Sequence, residues 1–260
     1  MSDLLAATTL WHREVVRFHR QPARVLGAVG MPLLFWALIG SGLSGSFRLP
    51  GGPEDLDYLE YFFPGTIVML VLFAAIFSTF SVIEDRNEGF LQGVLVAPVR
   101  RSALVAGKVF GGATLAWIQG MLFLVLAPVA GIRLTLRSGM EVAVVVAVMA
   151  VAVTAFGFAF AWRMNSTQGF HAVMNLVLMP MWFLSGAIFP LSGAPGWLDS
   201  VMRLNPLTYG TAALRRVLYG DMPLAGQSLP SLGLSLTVML IWAAAALAVD
   251  VWLVRRTGSP

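Results

Sequence analysis

No cysteine occurs among the 260 residues, so disulfides, thiolate chemistry and cysteine-based metal sites are excluded. Charge is almost as scarce. Only 12% of residues are Asp, Glu, Lys or Arg, about half the share of an ordinary soluble domain. The three histidines lack a neighbouring carboxylate or a tight spacing, which argues against a metal site. No stretch interleaves basic and aromatic side chains as a nucleic-acid platform does. No internal repeat or low-complexity segment stands out. What is present is hydrocarbon: 58% of the chain is apolar, more than a water-soluble fold can bury, so lipid is the expected solvent.

A bilayer core of about 30 Å takes roughly 20 apolar residues at 1.5 Å each. By that measure six helical spans are expected, near 25–43, 61–83, 103–127, 141–163, 171–190 and 231–254, with the third and fourth the clearest. Helices are required because unpaired backbone groups are not tolerated in hydrocarbon. The fifth span carries Pro180 and closes at Pro190, so a kink or break is expected there. The first apolar run begins near Val25 behind a polar lead, with no small-residue cleavage site after it, and reads as a retained span.

Orientation follows from the basic residues. With both termini cytoplasmic, the inner segments hold Arg13, Arg17, Arg20, Arg24, Arg86, Arg100, Arg101, Lys108, Arg163, Arg255 and Arg256. The outer ones hold Arg48, Arg133, Arg137, Arg203, Arg215 and Arg216. That is 11 against 6, the asymmetry of a multi-pass protein of the cell membrane with a positive inside. The net charge of +4 needs no further partner to explain it.

Before the first span, Leu4, Thr8, Trp11, Val15 and Phe18 recur at helical spacing, with Arg13, Arg17, Arg20 and Arg24 on the opposite face. Residues 1–24 are expected to form an interfacial helix, its arginines among headgroups and its apolar side in the acyl boundary. Packing against another part of the protein is the alternative.

Two stretches imitate active sites. Gly42-Leu43-Ser44-Gly45 has the form of an intramembrane serine protease motif, but a serine nucleophile needs a histidine within reach. His171 is expected about a bilayer thickness away, and His12 and His19 lie on the inner side. Gly107-Lys108 lacks the glycine five residues earlier and the following Ser or Thr of a phosphate-binding loop. Gly107 and Gly111 read better as a small-residue ridge for close helix approach. No catalytic residue, cofactor or metal is expected in this chain. Polar residues inside the spans, Ser78, Thr79, Ser81, Thr114, Gln119, Thr154 and Asn175, bond between helices or line a pathway, and Asp250, one to two turns before Arg255 and Arg256, reads as a local ion pair near the interface. Gln119 and Asn175 stand out because a carboxamide has four bonding positions to satisfy.

The chain's polar island is residues 84–101, "EDRNEGFLQGVLVAPVRR", between the second and third spans. Asp85 and Glu88 are spaced as a capping box opening a new helix, and Phe90, Leu91, Val94 and Leu95 then share one face. Pro98 ends it. A helix this short needs a partner surface, lipid or protein, to stay folded.

The stretch 88–108, "EGFLQGVLVAPVRRSALVAGK", resembles the cytoplasmic loop of ATP-binding-cassette exporter permeases of type 2, in which it is the coupling helix. Residues 183–220, "FLSGAIFPLSGAPGWLDSVMRLNPLTYGTAALRRVLYG", resemble the same family's fifth-span ending and outer segment, and Arg20-Gln21-Pro22 is a third, weaker match. Phe90 stands where a small hydroxyl residue is common, and Gly93 where a charged one is.

The resemblance implies an all-α membrane protein: six transmembrane helices in one domain over 1–260, an amino-terminal interfacial helix, a short coupling helix over 84–98 and an outer re-entrant segment over 191–230. It implies a homodimer, each copy receiving one ATPase subunit that carries ATP and Mg. Asp85, Glu88, Gly89, Phe90, Leu91, Val94, Leu95 and Pro98 would couple to that ATPase, with Leu91 and Leu95 buried in its groove. Ser78, Gln119, Asn175, Met179, Met181 and Trp182 are candidates for a path taking an amphipathic or lipid-linked substrate outward. Trp197, Asn205, Pro206 and Tyr209 are candidates for an outer gate. A sensor subunit without transport and a hydrolase built on Ser44 are the competing functions.

The topology yields a first prediction. Single cysteines at Asn87 and Gly139 are silent and reactive, respectively, toward a membrane-impermeant thiol reagent in intact cells. The reverse pattern contradicts the orientation.

Overall fold

In a computed structural model of the chain, residues 2–43, 57–190, 195–220 and 229–256 are described. They form ten α-helices and no strand. The helices are α1 (Asp3–His19), α2 (Pro22–Leu43), α3 (Tyr58–Asn87), α4 (Phe90–Val96) and α5 (Arg101–Leu124). They continue with α6 (Leu136–Ala161), α7 (Thr167–Trp182), α8 (Gly196–Leu204), α9 (Pro206–Tyr219) and α10 (Leu232–Arg256). Ser44, Arg48, Glu54, Asp55, the ends of the outer segment at 191–194 and 221–228, and the side chain of Arg24 lie outside the described residues.

Local chemistry sets several helix starts. Ser2 accepts the Leu5 N–H at 3.3 Å to open α1, and Ser166 accepts that of Gly169 at 3.2 Å to open α7. Thr135 and Ser138 form a reciprocal capping box at α6. Pro206 occupies the first turn of α9, where its missing N–H leaves nothing unsatisfied.

Among the described residues, five stretches are long and apolar enough to cross a membrane: Val25–Leu43, Tyr58–Asn87, Leu136–Ala161, Thr167–Ala187 and Leu232–Arg256. The chain is an all-α membrane protein. α5, expected as one of the two clearest spans, is not among the five. Lys108, Gln119 and four glycines dilute its apolar character, and these residues serve helix packing. α3 is the central element, with 94% of its most apolar stretch buried, against 22% for α2 and for α10. The faces that α2 and α10 leave outward, among them Leu26, Leu34, Leu38, Leu240 and Ile241, suit a lipid solvent.

The stretch Thr167–Ala187, which corresponds to the expected fifth span, is broken, but beyond Pro180. α7 carries Pro180 inside its last turn and passes into a π-turn over Phe183–Ala187, where Gly186 takes φ +79°. That left-handed conformation is open to glycine at little steric cost. Gly65 on α3 is required for a different reason: a Cβ there would lie 2.7 Å from Ala187 Cβ and 2.8 Å from the Ala187 carbonyl oxygen. The close approach lets Trp182 donate its Nε1–H to the Gly65 carbonyl at 2.8 Å.

Gly65→Val is therefore expected to overpack this junction and lower stability by about 1–3 kcal/mol. Thermal unfolding in detergent should show it, with Gly233→Ala, which meets nothing within 4 Å, leaving Tm unchanged.

Candidate functional site

α3 ends in a charged turn that holds four other helices. Its carboxyl-terminal residues 84–88 point outward in different directions, and each direction meets a different element. Asp85, fully buried, accepts two hydrogen bonds from Arg13 of α1, at 2.6 and 2.7 Å, and one from Arg17 at 2.6 Å. Lys108 of α5 donates to the same carboxylate and to Glu14 of α1 at 2.5 Å, with the Ser81 hydroxyl 3.4 Å away. Arg17 also reaches Glu84 at 2.8 Å and Glu88 at 3.5 Å. Three cations and four carboxylates thus tie α1, α3 and α5 together, with Lys108, Glu14 and Asp85 all excluded from solvent. Its hydrogen bond to Asp85 raises the Arg13 pKa above its ordinary value, so that guanidinium keeps its charge.

On the opposite side of the turn, Arg86 donates to the carbonyls of Trp162 and Met164 and to Asn165 Oδ1. A guanidinium at the carboxyl end of α6 satisfies carbonyls that have no helical partner. The same five residues therefore anchor α1 and α5 on one flank and α6 on the other.

Gly89, with φ +77°, makes the left-handed turn from α3 into α4. The expected capping box is corrected here: Asp85 lies inside α3, Glu88 is the cap at that helix's carboxyl end, and no side chain caps α4. The helix is also shorter than the expected 84–98, with seven residues. Ala97 is extended (φ −68°, ψ 148°), as a residue before Pro98 must be. Phe90 lies under the Arg13 guanidinium, 3.7 Å from its ring centre, which gives an aromatic ring at this position a role. Arg101 donates to the Leu95 carbonyl at 2.7 Å and closes the end of α4. Leu91 is 3% exposed and packed into this chain's own core, so its expected burial in another subunit is corrected. Val94 and Leu95 are half-buried. The outward positions are Gln92, Gly93 and Val96, the last 86% exposed.

α1 packs along one face within the chain and leaves Leu4, Thr8 and Trp11 exposed on the other. Ala6, Leu10, Glu14 and Phe18 form its buried stripe, and α1 lies along α5 in the most extensive helix pairing of the fold. The expected ridge of Gly107 and Gly111 makes this possible: a Cβ at Gly107 would meet Leu10 Cβ at 2.6 Å, and one at Gly111 would meet Glu14 Cβ at 2.7 Å. Arg13 and Arg17 are held by carboxylates instead of headgroups.

The path candidates divide. Ser78 is buried, donates to the Ala75 carbonyl at 2.9 Å and faces Gly112 of α5; Trp182 is buried against Gly65. Both are packing contacts within this chain. Asn175 and Met179 are half-buried one turn apart on α7, and the Asn175 amide lies 3.3 Å from His171 Nδ1. Met181 is half-buried. Gln119 is buried with neither amide atom bonded, and it faces a groove between α1, α2 and α5.

At the far end of the bundle, Trp197 is exposed, and Asn205 joins α8 to α9. Asn205 caps Leu207 at 3.1 Å and donates to the Met181 carbonyl at 2.6 Å. Pro206 starts α9, and Tyr209 donates to the Arg203 carbonyl at 3.1 Å. Arg215, buried on α9, donates to the Gly186 carbonyl at 2.6 Å and lies over the Tyr61 ring at 4.2 Å. It holds the broken end of the Thr167–Ala187 stretch. Among the described residues no three of His, Asp or Glu converge as metal ligands.

Glu14, Lys108 and Arg215 went unassigned in the sequence, though each carried a signal. A lysine inside an apolar run is a functional-site candidate by itself. Glu14 falls four residues after Leu10 and four before Phe18, on the face that packs. Arg215 closes the Asn-Pro-Leu-Thr-Tyr segment already singled out.

Removing Lys108 leaves two buried carboxylates facing each other. Lys108→Met is expected to destabilise by about 3–5 kcal/mol. Thermal unfolding in detergent checks this against Arg137→Ala, which breaks the exposed pair to Glu141 at 2.8 Å and should leave Tm unchanged.

Nodulation protein J of Rhizobium meliloti is 24% identical over 256 residues, covering 96% of this chain and 93% of that one. Inner membrane transport permease YadH of Escherichia coli is 25% identical over 225 residues, 85% of this chain and 86% of its own. The daunorubicin resistance ABC transporter permease protein DrrB1 of Streptomyces coeruleorubidus is 24% identical over 218 residues, 82% and 74% respectively. The ABC-2 type transporter family matches residues 6–219, which contain the charged turn, α4 and the α8–α9 pair. This chain belongs to that family and is the multi-pass membrane permease subunit of an ABC transporter.

Proposed function

We propose that this chain, as a homodimer with both termini cytoplasmic, moves an amphipathic or lipid-linked substrate outward. Force comes from two copies of a separate ATPase subunit, on which ATP and Mg are bound. The supporting observation is the buried charge cluster: α4 and α1 are fastened to α3 and α5 by Asp85, Lys108, Glu14, Arg13 and Phe90. A push on α4 is then a push on the central helix. The ATPase would seat on the outward edge of α4, Gln92, Gly93 and Val96, and on an apolar groove of about 340 Å³ between α1 and α4. Ala6, Leu10, Phe90, Val94 and Val99 line that groove. Glu88, well exposed at the turn, would transmit load through Arg17.

Asn175 and Met179 would face the path shared by two copies. Trp197, Asn205, Pro206 and Tyr209, on α8 and α9, would gate its outer end. One relative's name records daunorubicin resistance, in line with a drug-like cargo.

Val96→Asp is expected to weaken co-purification of the ATPase at least about tenfold, since one buried apolar side chain is worth roughly 1.5–3 kcal/mol. Tm of the permease should not change. Leu91→Ser should instead lower the Tm of the permease itself. Undiminished ATPase binding and transport by Val96→Asp in reconstituted liposomes would contradict docking at α4.

A further inference from the structure

We propose that the groove between α1, α2 and α5 binds one anionic glycerophospholipid, its phosphate on Arg20, its ester group on Gln119 and an acyl chain along the apolar wall. The groove is about 650 Å³, in the range of small-molecule sites. Val15, Val25, Leu115, Ile118 and Leu122 form the wall. Ile118 is 39% and Leu122 64% exposed, and Leu26 beside Val25 on α2 is 72% exposed. The opening is therefore apolar, as a wall that meets acyl chains would be.

Two polar groups line this groove, and each asks for a partner. Gln119 is 5% exposed, and neither its amide nitrogen nor its amide oxygen has a hydrogen bond. Leaving a buried carboxamide unmade is expensive, about 1–3 kcal/mol per group, so the site favours an occupant that brings a hydrogen-bonding atom into an apolar slot. Arg20 is exposed in the turn between α1 and α2, and among the described residues no side-chain hydrogen bond or ion pair engages it. Arg13 and Arg17 on the same helix are both neutralised by carboxylates, which leaves Arg20 as this groove's cation. A cation, a carboxamide and an apolar wall in one groove match phosphate, ester carbonyl and acyl chain in one molecule. The site is independent of the transport reading, because lipid retention is measured without the ATPase and without turnover.

The test is native mass spectrometry of the full chain released from detergent containing equimolar phosphatidylglycerol and phosphatidylcholine. The chain should carry one phosphatidylglycerol per copy in preference to phosphatidylcholine. Arg20→Gln should reduce that retention about tenfold, as loss of one charge-assisted contact implies, while Arg20→Lys retains most of it. Gln119 is read separately, with the ether-linked analogue of phosphatidylglycerol, which lacks ester carbonyls. The parent chain should favour the ester lipid, and Gln119→Leu should bind both equally. Unchanged retention in Arg20→Gln, or an ester preference that survives Gln119→Leu, overturns the proposal. So does a dimer-to-monomer shift in Gln119→Leu with lipid retention intact, which would make the groove an interface between copies.

Discussion

The fold depends on where one ammonium group sits. Lys108 lies inside the bundle between Asp85 of α3 and Glu14 of α1, and together with Arg13 and Arg17 it makes both buried carboxylates tolerable. A charge in hydrocarbon is costly alone and becomes a directional constraint once paired. Because the three partners come from three helices, none of these can slide without separating opposite charges in a low dielectric. Arg13 extends the constraint through Phe90 to α4, and Arg86 extends it to the end of α6. What looks like a seven-residue surface helix is thus mechanically part of the core.

The opposite end of the bundle solves a related problem with other groups. The Thr167–Ala187 stretch unwinds at Gly186, and carbonyls freed there need donors that water cannot supply. Arg215 from α9 donates to the Gly186 carbonyl and Asn205 to that of Met181, both at 2.6 Å. α3 touches both ends: Tyr61 and Gly65 meet the break, and Asp85 meets the charge cluster. A single 30-residue helix therefore connects the face where force would arrive to the segment that would gate exit.

Much of the architecture was legible because hydrophobic length is a direct reading of the bilayer. Five of six expected spans recur as helices of sufficient length and hydropathy, and the short helix before Pro98 and the pair α8–α9 lie in segments read as non-spanning. The remaining one, α5, falls short of that hydropathy because its glycines and Lys108, noise in a hydropathy count, are contacts in three dimensions. The amphipathic pattern of α1 was correctly helical, and its alternative reading, packing within the chain, describes one of its faces. Periodicity says which residues share a face, not whether that face meets lipid or protein, and Glu14 on the buried stripe was the residue that distinguished them. Leu91 shows the same limit: an apolar face on a short helix needs a partner, and here the partner is largely the chain itself.

The central claim is that α1 and α4 move with the bundle as one body. Because the chain lacks cysteine, spin labels can be placed at Leu5 on α1 and Gln92 on α4 of one copy in the assembled transporter, both on exposed positions. Pulsed electron–electron distance measurement through the ATP cycle should give one unchanged distance between those sites, while a pair spanning the two copies changes. A distance between Leu5 and Gln92 that shifts on ATP binding, with transport intact, would contradict the account.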